Sequence, residues 1–251
     1  MTRLVLASAS PARLLTLRNA GVEPLVLVSQ VDEDAAVADA LERFGELTAG
    51  QVALVLARAK AEDVAARLLA DIDSPLASGG VVLPTGDSVD RDDLGSEALD
   101  MFDDADLVLG CDSVLEIDGE AYGKPANADD AVTRWRRMAG SRGILHTGHW
   151  LIDIRPESEG GNGATLGTTA STEVSFADID DEEIEAYVAT GEPLRVAGGF
   201  TVDGLGGPYI DSIDGDYHNV VGLSLPLLRQ LLHELHVPWR TLRERAGVPV
   251  R

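Results

Sequence analysis

A strand that feeds a helix through a turn of small residues leaves the helix's first N–H groups without backbone partners. Residues 4–21 (LVLASASPARLLTLRNAG) have that form. Arg3 to Leu6 predicts a short apolar strand, Ala7-Ser8-Ala9-Ser10 turns the chain, and Pro11 opens a helix with apolar positions at Leu14, Leu15 and Leu17. Proline suits the first helical position because its missing N–H would have no intrahelical partner there. The N–H groups of that first turn, the hydroxyls of Ser8 and Ser10 and the guanidinium of Arg13 make a cradle for an anion without the glycines of a P-loop. The same residues also read as a plain serine N-cap followed by a solvated arginine.

Charge makes the choice between these readings matter. The 251 residues carry 43 Asp and Glu against 20 Lys and Arg, a net charge of −23. Such a surface repels nucleic acid polymers and anionic membranes, so neither is expected as a partner. A small anionic substrate can bind only where a few cations converge. No apolar run approaches the ~18–20 residues of a membrane span, and Arg13 and Arg18 interrupt the place where a signal peptide would carry its apolar segment. A lone cysteine, Cys111, allows no internal disulfide, which fits a cytoplasmic location.

Along the chain, strand and helix signals alternate. A second strand is expected at Pro24 to Ser29, followed by an acidic turn at Val31-Asp32-Glu33-Asp34. A long helix is expected over 48–71, with Val52, Val55, Leu56 and Ala59 along one face. Residues 72–104 turn rich in Gly, Ser, Pro and Asp and read as a flexible acidic surface insertion. Asp106 to Cys111 reads as a buried strand ending at Asp112-Ser113, and 114–122 as a hairpin turning at Asp118-Gly119. Then come a helix over 127–138, strands over 144–154 and 168–176, and an acidic helix over 180–190 closed by Gly191. A helix over 225–235 carries Leu225, Leu228, Leu231, Leu232 and Leu235 on one face, ahead of a C-terminal tail at 237–251. Helices alternating with both crossover and hairpin connections predict one α/β domain around a mixed sheet.

Short polar motifs sit at the expected strand ends and loops. They are Ser8-x-Ser10-x-x-Arg13, Val31-Asp32-Glu33, Ala59-Lys60-Ala61, Gly110-Cys111-Asp112-Ser113, Gly123-Lys124-Pro125 and His146-Thr147-Gly148, then Thr190-Gly191-Glu192-Pro193, Ala197-Gly198-Gly199-Phe200, Asp203-Gly204 and Gly215 to Leu223 (GDYHNVVGL). The series resembles the Maf family, the septum-formation-inhibitor-like nucleoside triphosphate pyrophosphatases. The resemblance spans nearly the whole chain outside 72–104, 155–165 and the C-terminal tail.

That resemblance implies a two-lobed α/β fold around a central mixed sheet, similar to inosine triphosphate pyrophosphatases. It also implies hydrolysis of a nucleoside triphosphate to monophosphate and pyrophosphate with a divalent cation, Mg²⁺ or Mn²⁺, as house-cleaning of nucleotides. The residues suit that chemistry. Arg13, Lys60 and Lys124 are three cations for a polyanion, Lys as a point charge and Arg as a fork, and Ser8 and Ser10 add hydroxyl donors. A hard metal needs carboxylates, for which Glu33 and Asp112 are the candidates, although Asp32 and Asp34 flank Glu33. Asp112, Lys60 and Lys124 are the expected catalytic set. His146, His218 and Asn219 are expected to be structural, and Glu192 is either a turn former or a working residue.

Two positions depart from the family pattern. Cys111-Asp112-Ser113 stands where Ala-Asp-Thr is usual, which keeps the hydroxyl. Asp203, in Val202-Asp203-Gly204, stands where the pyrimidine-preferring branch has the Gln of Ile-Gln-Gly, and a carboxylate cannot donate as an amide does. Asp203 is therefore the expected base-facing residue. The rival reading is a non-catalytic nucleotide-binding regulator of cell division, and a homodimer is possible under either.

Overall fold

A computed structural model of the chain describes residues 2–70, 80–82, 88–90 and 104–243. Its single sheet is assembled in the order β4-β3-β2-β1-β5-β7-β8-β9, with β6 paired to β5 off that path. The strands are β1 (Leu4–Leu6), β2 (Leu25–Leu27), β3 (Gly80–Val82), β4 (Ser88–Asp90), β5 (Leu107–Ile117), β6 (Glu120–Tyr122), β7 (Arg142–Asp153), β8 (Thr165–Phe176) and β9 (Ile210–Asp214). β1 pairs in parallel with β2 and β5, and all the other pairings are antiparallel, so the sheet is mixed as expected. The expected insertion lies for the most part outside the described residues; β3 and β4 come from within it and extend the sheet beyond β2.

The helices are α1 (Pro11–Asn19), α2 (Glu33–Phe44), α3 (Ala49–Leu69), α4 (Ala128–Met138), α5 (Asp181–Ala189), α6 (Tyr217–Val221), α7 (Leu225–Glu234) and α8 (Trp239–Arg243). Local chemistry sets their starts. Ser10 caps α1 ahead of Pro11, Thr48 and Gln51 form a reciprocal capping box on α3, and Asn127 caps α4. The turn between β5 and β6 uses Asp118 and Gly119 at φ 52° and 80°, the left-handed pair a two-residue hairpin requires.

Three of the sequence expectations need correcting. β5 does not stop at Asp112-Ser113 but runs unbroken from Leu107 to Ile117, because each polar side chain finds partners on its own face of the sheet. The acidic turn is the start of a helix, with Asp32 as its N-cap and Glu33 as its first residue. Of the expected face of α3 (Val52, Val55, Leu56 and Ala59) only Leu56 is buried; the buried face is Ala53, Leu56, Ala57, Ala61 and Val64. The reason is steric: a β-carbon on Gly110 of β5 would lie 2.1 Å from the carbonyl oxygen of Ala57, and one on Gly148 of β7 would lie 2.3 Å from that of Ala53. Helix backbone rests on strand backbone, and only alanine-sized side chains fit between them.

Two cores flank the middle of the sheet. One joins β1, β5 and β7 to α1, α7 and the C-terminal segment through Leu6, Leu17, Leu109, Leu151, Leu231, Leu232, Val237 and Leu242. The other joins the far half of β5 and β8 to α4 and α5 through Leu115, Trp135, Met138, Phe176, Tyr187 and Phe200. Asp112 lies on β5 between them.

Candidate active site

The cleft between these cores measures about 1010 Å³, and Ser8, Ser10, Arg13, Glu33, Lys60, Asp112, Lys124 and Asp203 all line it. All the residues expected from the sequence to form a site are therefore brought to one place.

At its base, Lys60 reaches down from α3 and its ammonium joins two carboxylates: Asp112 Oδ1 at 2.5 Å and Glu33 Oε1 at 2.8 Å. The side chains of Lys60 and Asp112 are only 12% and 13% exposed, so this pairing is largely shielded from water. Partial burial works against ionisation of Glu33. The hydrogen bond and charge of Lys60, with the charges of Lys124 and Arg13, outweigh it and hold that carboxyl below its ordinary range. Among the described residues Asp112 accepts no hydrogen bond besides that of Lys60. Lys60 keeps one of its three N–H groups for a ligand.

Arg13 is built in more deeply than a solvated arginine would be. Nε donates to the carbonyl of Gly222 at 2.8 Å, one terminal nitrogen to Ser8 Oγ at 2.9 Å and to the carbonyl of Cys111 at 2.8 Å, and the other to Ser113 Oγ at 3.1 Å. A guanidinium has five N–H groups, so a single one remains. The expected two-pronged fork is thus already used on protein acceptors, and what Arg13 offers the cleft is its charge. Gly222, at φ 116°, is where this packing needs glycine: a β-carbon there would come within 3.2 Å of Arg13 Nε. The serines have the opposite balance. Ser8 Oγ accepts from Arg13 and from the N–H of Ser10, while Ser10 Oγ accepts from the N–H of Arg13, so both hydroxyl hydrogens are left to donate.

Behind Asp112, a chain of hydroxyls runs the other way. Thr147 Oγ1 donates to the carbonyl of Asn219 at 3.1 Å, so in its 2.9 Å approach to Ser113 it is the acceptor and Ser113 the donor. Asn219 is itself held by the carbonyl of Leu145 and by Thr172 Oγ1. His149 has no exposed surface: its Nε2 accepts from the N–H of Ser224, which leaves the proton on Nδ1 for the carbonyl of Thr147. His146 hydrogen-bonds Ser171 and approaches Glu116, away from these groups.

The opposite wall comes from residues 192–205. Lys124 is exposed and forms no ion pair among the described residues, and its turn is anchored where Arg134 and the N–H of Gly198 both donate to the carbonyl of Gly123. Arg195, Phe200, Val202 and Leu205 also line the cleft, and none was expected in this role. Arg195 lay between two recognised motifs. Its signal was available in the scarcity of cations: an arginine among site motifs in a chain of net charge −23 calls for a reason.

Two carboxylates within reach of one ammonium fit a cation such as Mg²⁺, which binds through one or two carboxylates and takes its other ligands from water and substrate phosphates. Among the described residues no group of three or more His, Cys, Asp or Glu could form an all-protein cage.

A mixed α/β sheet with a polar cleft across its middle strand, lined by a serine-rich helix start and a Lys-bridged carboxylate pair, defines a class of protein built to hold a small polyanion. The family model for Maf-like proteins matches residues 3–235, and the chain belongs to that family. Proteins named nucleoside triphosphate pyrophosphatase are similar to it over most of their length. The one from Leifsonia xyli subsp. xyli is 47% identical over 98% of this chain and 99% of its own. The one from Salinispora tropica is 48% identical over 94% and 85%, and the one from Trichormus variabilis is 41% identical over 94% of each.

Proposed function

We propose that this protein hydrolyses a nucleoside triphosphate between its α and β phosphates, releasing nucleoside monophosphate and pyrophosphate, as house-cleaning of nucleotides in the cytoplasm. The observation that carries the proposal is the Lys60 bridge between Asp112 and Glu33 at the floor of a cleft that also gathers Arg13, Lys124 and Arg195. A protein that only held nucleotide would need the cations but not a shielded, Lys-fixed carboxylate among them. Membership of the Maf family and the names of its relatives point the same way.

In this reading Asp112 is the general base. Lys60 holds Oδ1, and the carboxylate takes a proton from a water whose oxygen attacks the α phosphorus. The bond from that phosphorus to the bridging oxygen breaks, and its electron pair leaves with pyrophosphate. Ser8 and Ser10 donate hydrogen bonds to phosphate oxygens, and Lys60, Lys124, Arg13 and Arg195 balance the charge of the triphosphate. Glu33 and Asp112 would together hold a Mg²⁺ or Mn²⁺ ion, which when bound withdraws charge from the phosphates. Asp203 faces the base. Among the described residues no helix is long and apolar enough to cross a membrane.

The test is product identification with a panel of nucleoside triphosphates and Mg²⁺ or Mn²⁺. Monophosphate and pyrophosphate are expected as first products. Diphosphate with orthophosphate, or tight nucleotide binding with no turnover, would refute the assignment.

A further inference from the structure

Glu192 follows α5, and its carboxylate gathers four donors from the opposite wall. Oε1 accepts from the hydroxyl of Tyr187 at 2.9 Å, from that of Thr201 at 2.5 Å and from the N–H of Gly206 at 3.1 Å, while Oε2 accepts from the N–H of Leu205 at 3.1 Å. The same donors also support one another. The N–H of Thr201 donates to Tyr187 Oη and that of Gly206 to Thr201 Oγ1. Three of the four bonds fall on Oε1, which is saturated, while Oε2 holds the Leu205 N–H and keeps one position. Most of the acceptor capacity of Glu192 is therefore spent within the wall, although it stands at the cleft. What it holds is the segment 201–206, which carries Val202, Asp203 and Leu205 into the cleft opposite Asp112. The segment's two ends are fixed by Val202, which packs on the second core, and by the buried Gly206, but its middle has no such anchor. Asp203 and Gly204 are exposed and Leu205 is 58% exposed, whereas Tyr187, on the far side of Glu192, is buried in the second core.

We infer that Glu192 is a positioning residue for base discrimination: it ties the segment 201–206, exposed over 203–205, to the buried Tyr187 and so fixes where Asp203 meets the base. The inference rests on the proposed triphosphate hydrolysis. Gly204 and Gly206 fit this role, since a β-carbon on Gly204 would lie 2.6 Å from Glu192 Oε2 and one on Gly206 would lie 2.4 Å from Tyr187 Oη. The segment is packed against its clamp too closely for side chains.

The experiment compares the wild type with Glu192→Ala and Glu192→Gln. The glutamine can still accept on one side but has no acceptor for the Leu205 N–H on the other. kcat and KM are measured for UTP, dTTP and GTP, and inhibition by inorganic triphosphate serves as the base-free probe. Glu192→Ala should compress the spread of kcat/KM among the bases by about tenfold, chiefly through KM, the scale expected when a recognition element forfeits a buried polar anchor. Glu192→Gln should lie between, and inhibition by inorganic triphosphate should not change. Exchange of the Leu205 and Gly206 amides with deuterated solvent should quicken in step. An equal fall for every base, or weaker triphosphate inhibition, overturns the inference. So does unaltered amide exchange, which is read without any turnover. If the wild type hydrolyses no triphosphate, the proposed function fails separately, and nucleotide affinities by calorimetry replace kcat/KM in the same comparison.

Discussion

The carbonyl oxygen of Ala57 occupies nearly the spot where a β-carbon on Gly110 would have to go, 2.1 Å away. That close approach sets the height of α3 above β5. Lys60, one turn further along the helix, therefore meets Asp112, two residues further along the strand. The shielded ion pair is a product of backbone packing before it is one of side-chain attraction.

Gly110→Ala should lift α3 from the sheet, costing ~1–3 kcal/mol as overpacking does and separating Lys60 from Asp112. Thermal unfolding reads the first effect and turnover the second. Full activity in a destabilised Gly110→Ala protein would show that the Lys60–Asp112 distance does not limit the reaction.

Asp112→Asn should remove turnover by about 10²–10⁴-fold, the usual contribution of a general base, with far-ultraviolet circular dichroism unchanged. The amide cannot take the proton from water. Retained turnover with ordinary metal dependence would assign the base to another carboxylate.

Lys60→Gln should shift the acid side of the pH–rate profile upward. Lys60 supplies the leading favourable interactions that hold the Glu33 carboxyl down against its burial, so without them Glu33 protonates at higher pH and is lost as a charged group sooner. A profile displaced only in height would mean that ionisation of Glu33 is not required.

Asp203→Gln should raise the ratio of UTP and dTTP to GTP specificity constants by ~1–3 kcal/mol, the scale of a polar mismatch at a recognition edge. The amide presents both a donor and an acceptor to uracil or thymine, where the carboxylate only accepts. An unchanged ratio places the side chain outside the base pocket.

His149 should give the fold an acid-side weakness. Burial in the core pushes its imidazole down from 6.5 to about 4, so the unfolded chain takes up a proton in this interval while the folded chain does not. Its contribution to stability is present in full above about pH 6.5 and is lost as pH falls toward 4, by roughly 3 kcal/mol over the interval. The difference in melting temperature between wild type and His149→Gln should narrow steadily across that window; a constant gap would contradict it.

Much of this was written locally in the chain. Ser10 and Pro11 mark the start of α1, Asp118-Gly119 marks a hairpin, and the leucines of α7 mark its buried face, because caps, turns and amphipathic stripes depend on near neighbours. What depends on distant partners was not. Asp112-Ser113 looked like a strand end, since nothing nearby shows that Lys60 waits on one face and Arg13 with Thr147 on the other. α2 gave no stripe to read because Ala40 is its only buried residue. Lys60, Arg13 and Asp112 could be nominated by residue type and family pattern, but the saturation of Arg13 by protein acceptors could not. Glu192 stayed ambiguous because the donors that give it meaning lie between five residues before it and fourteen after it.

Asp112 and Asp203 stand on supports of very different firmness. The first sits in the middle of an eleven-residue strand paired to β7 along nearly its whole length, the second on an exposed loop whose middle is held through one glutamate. Mutations that reshape the second can accumulate without disturbing the first. Under the proposed function, substitutions in the second should therefore change the preference among nucleobases while the bond-breaking step stays in place.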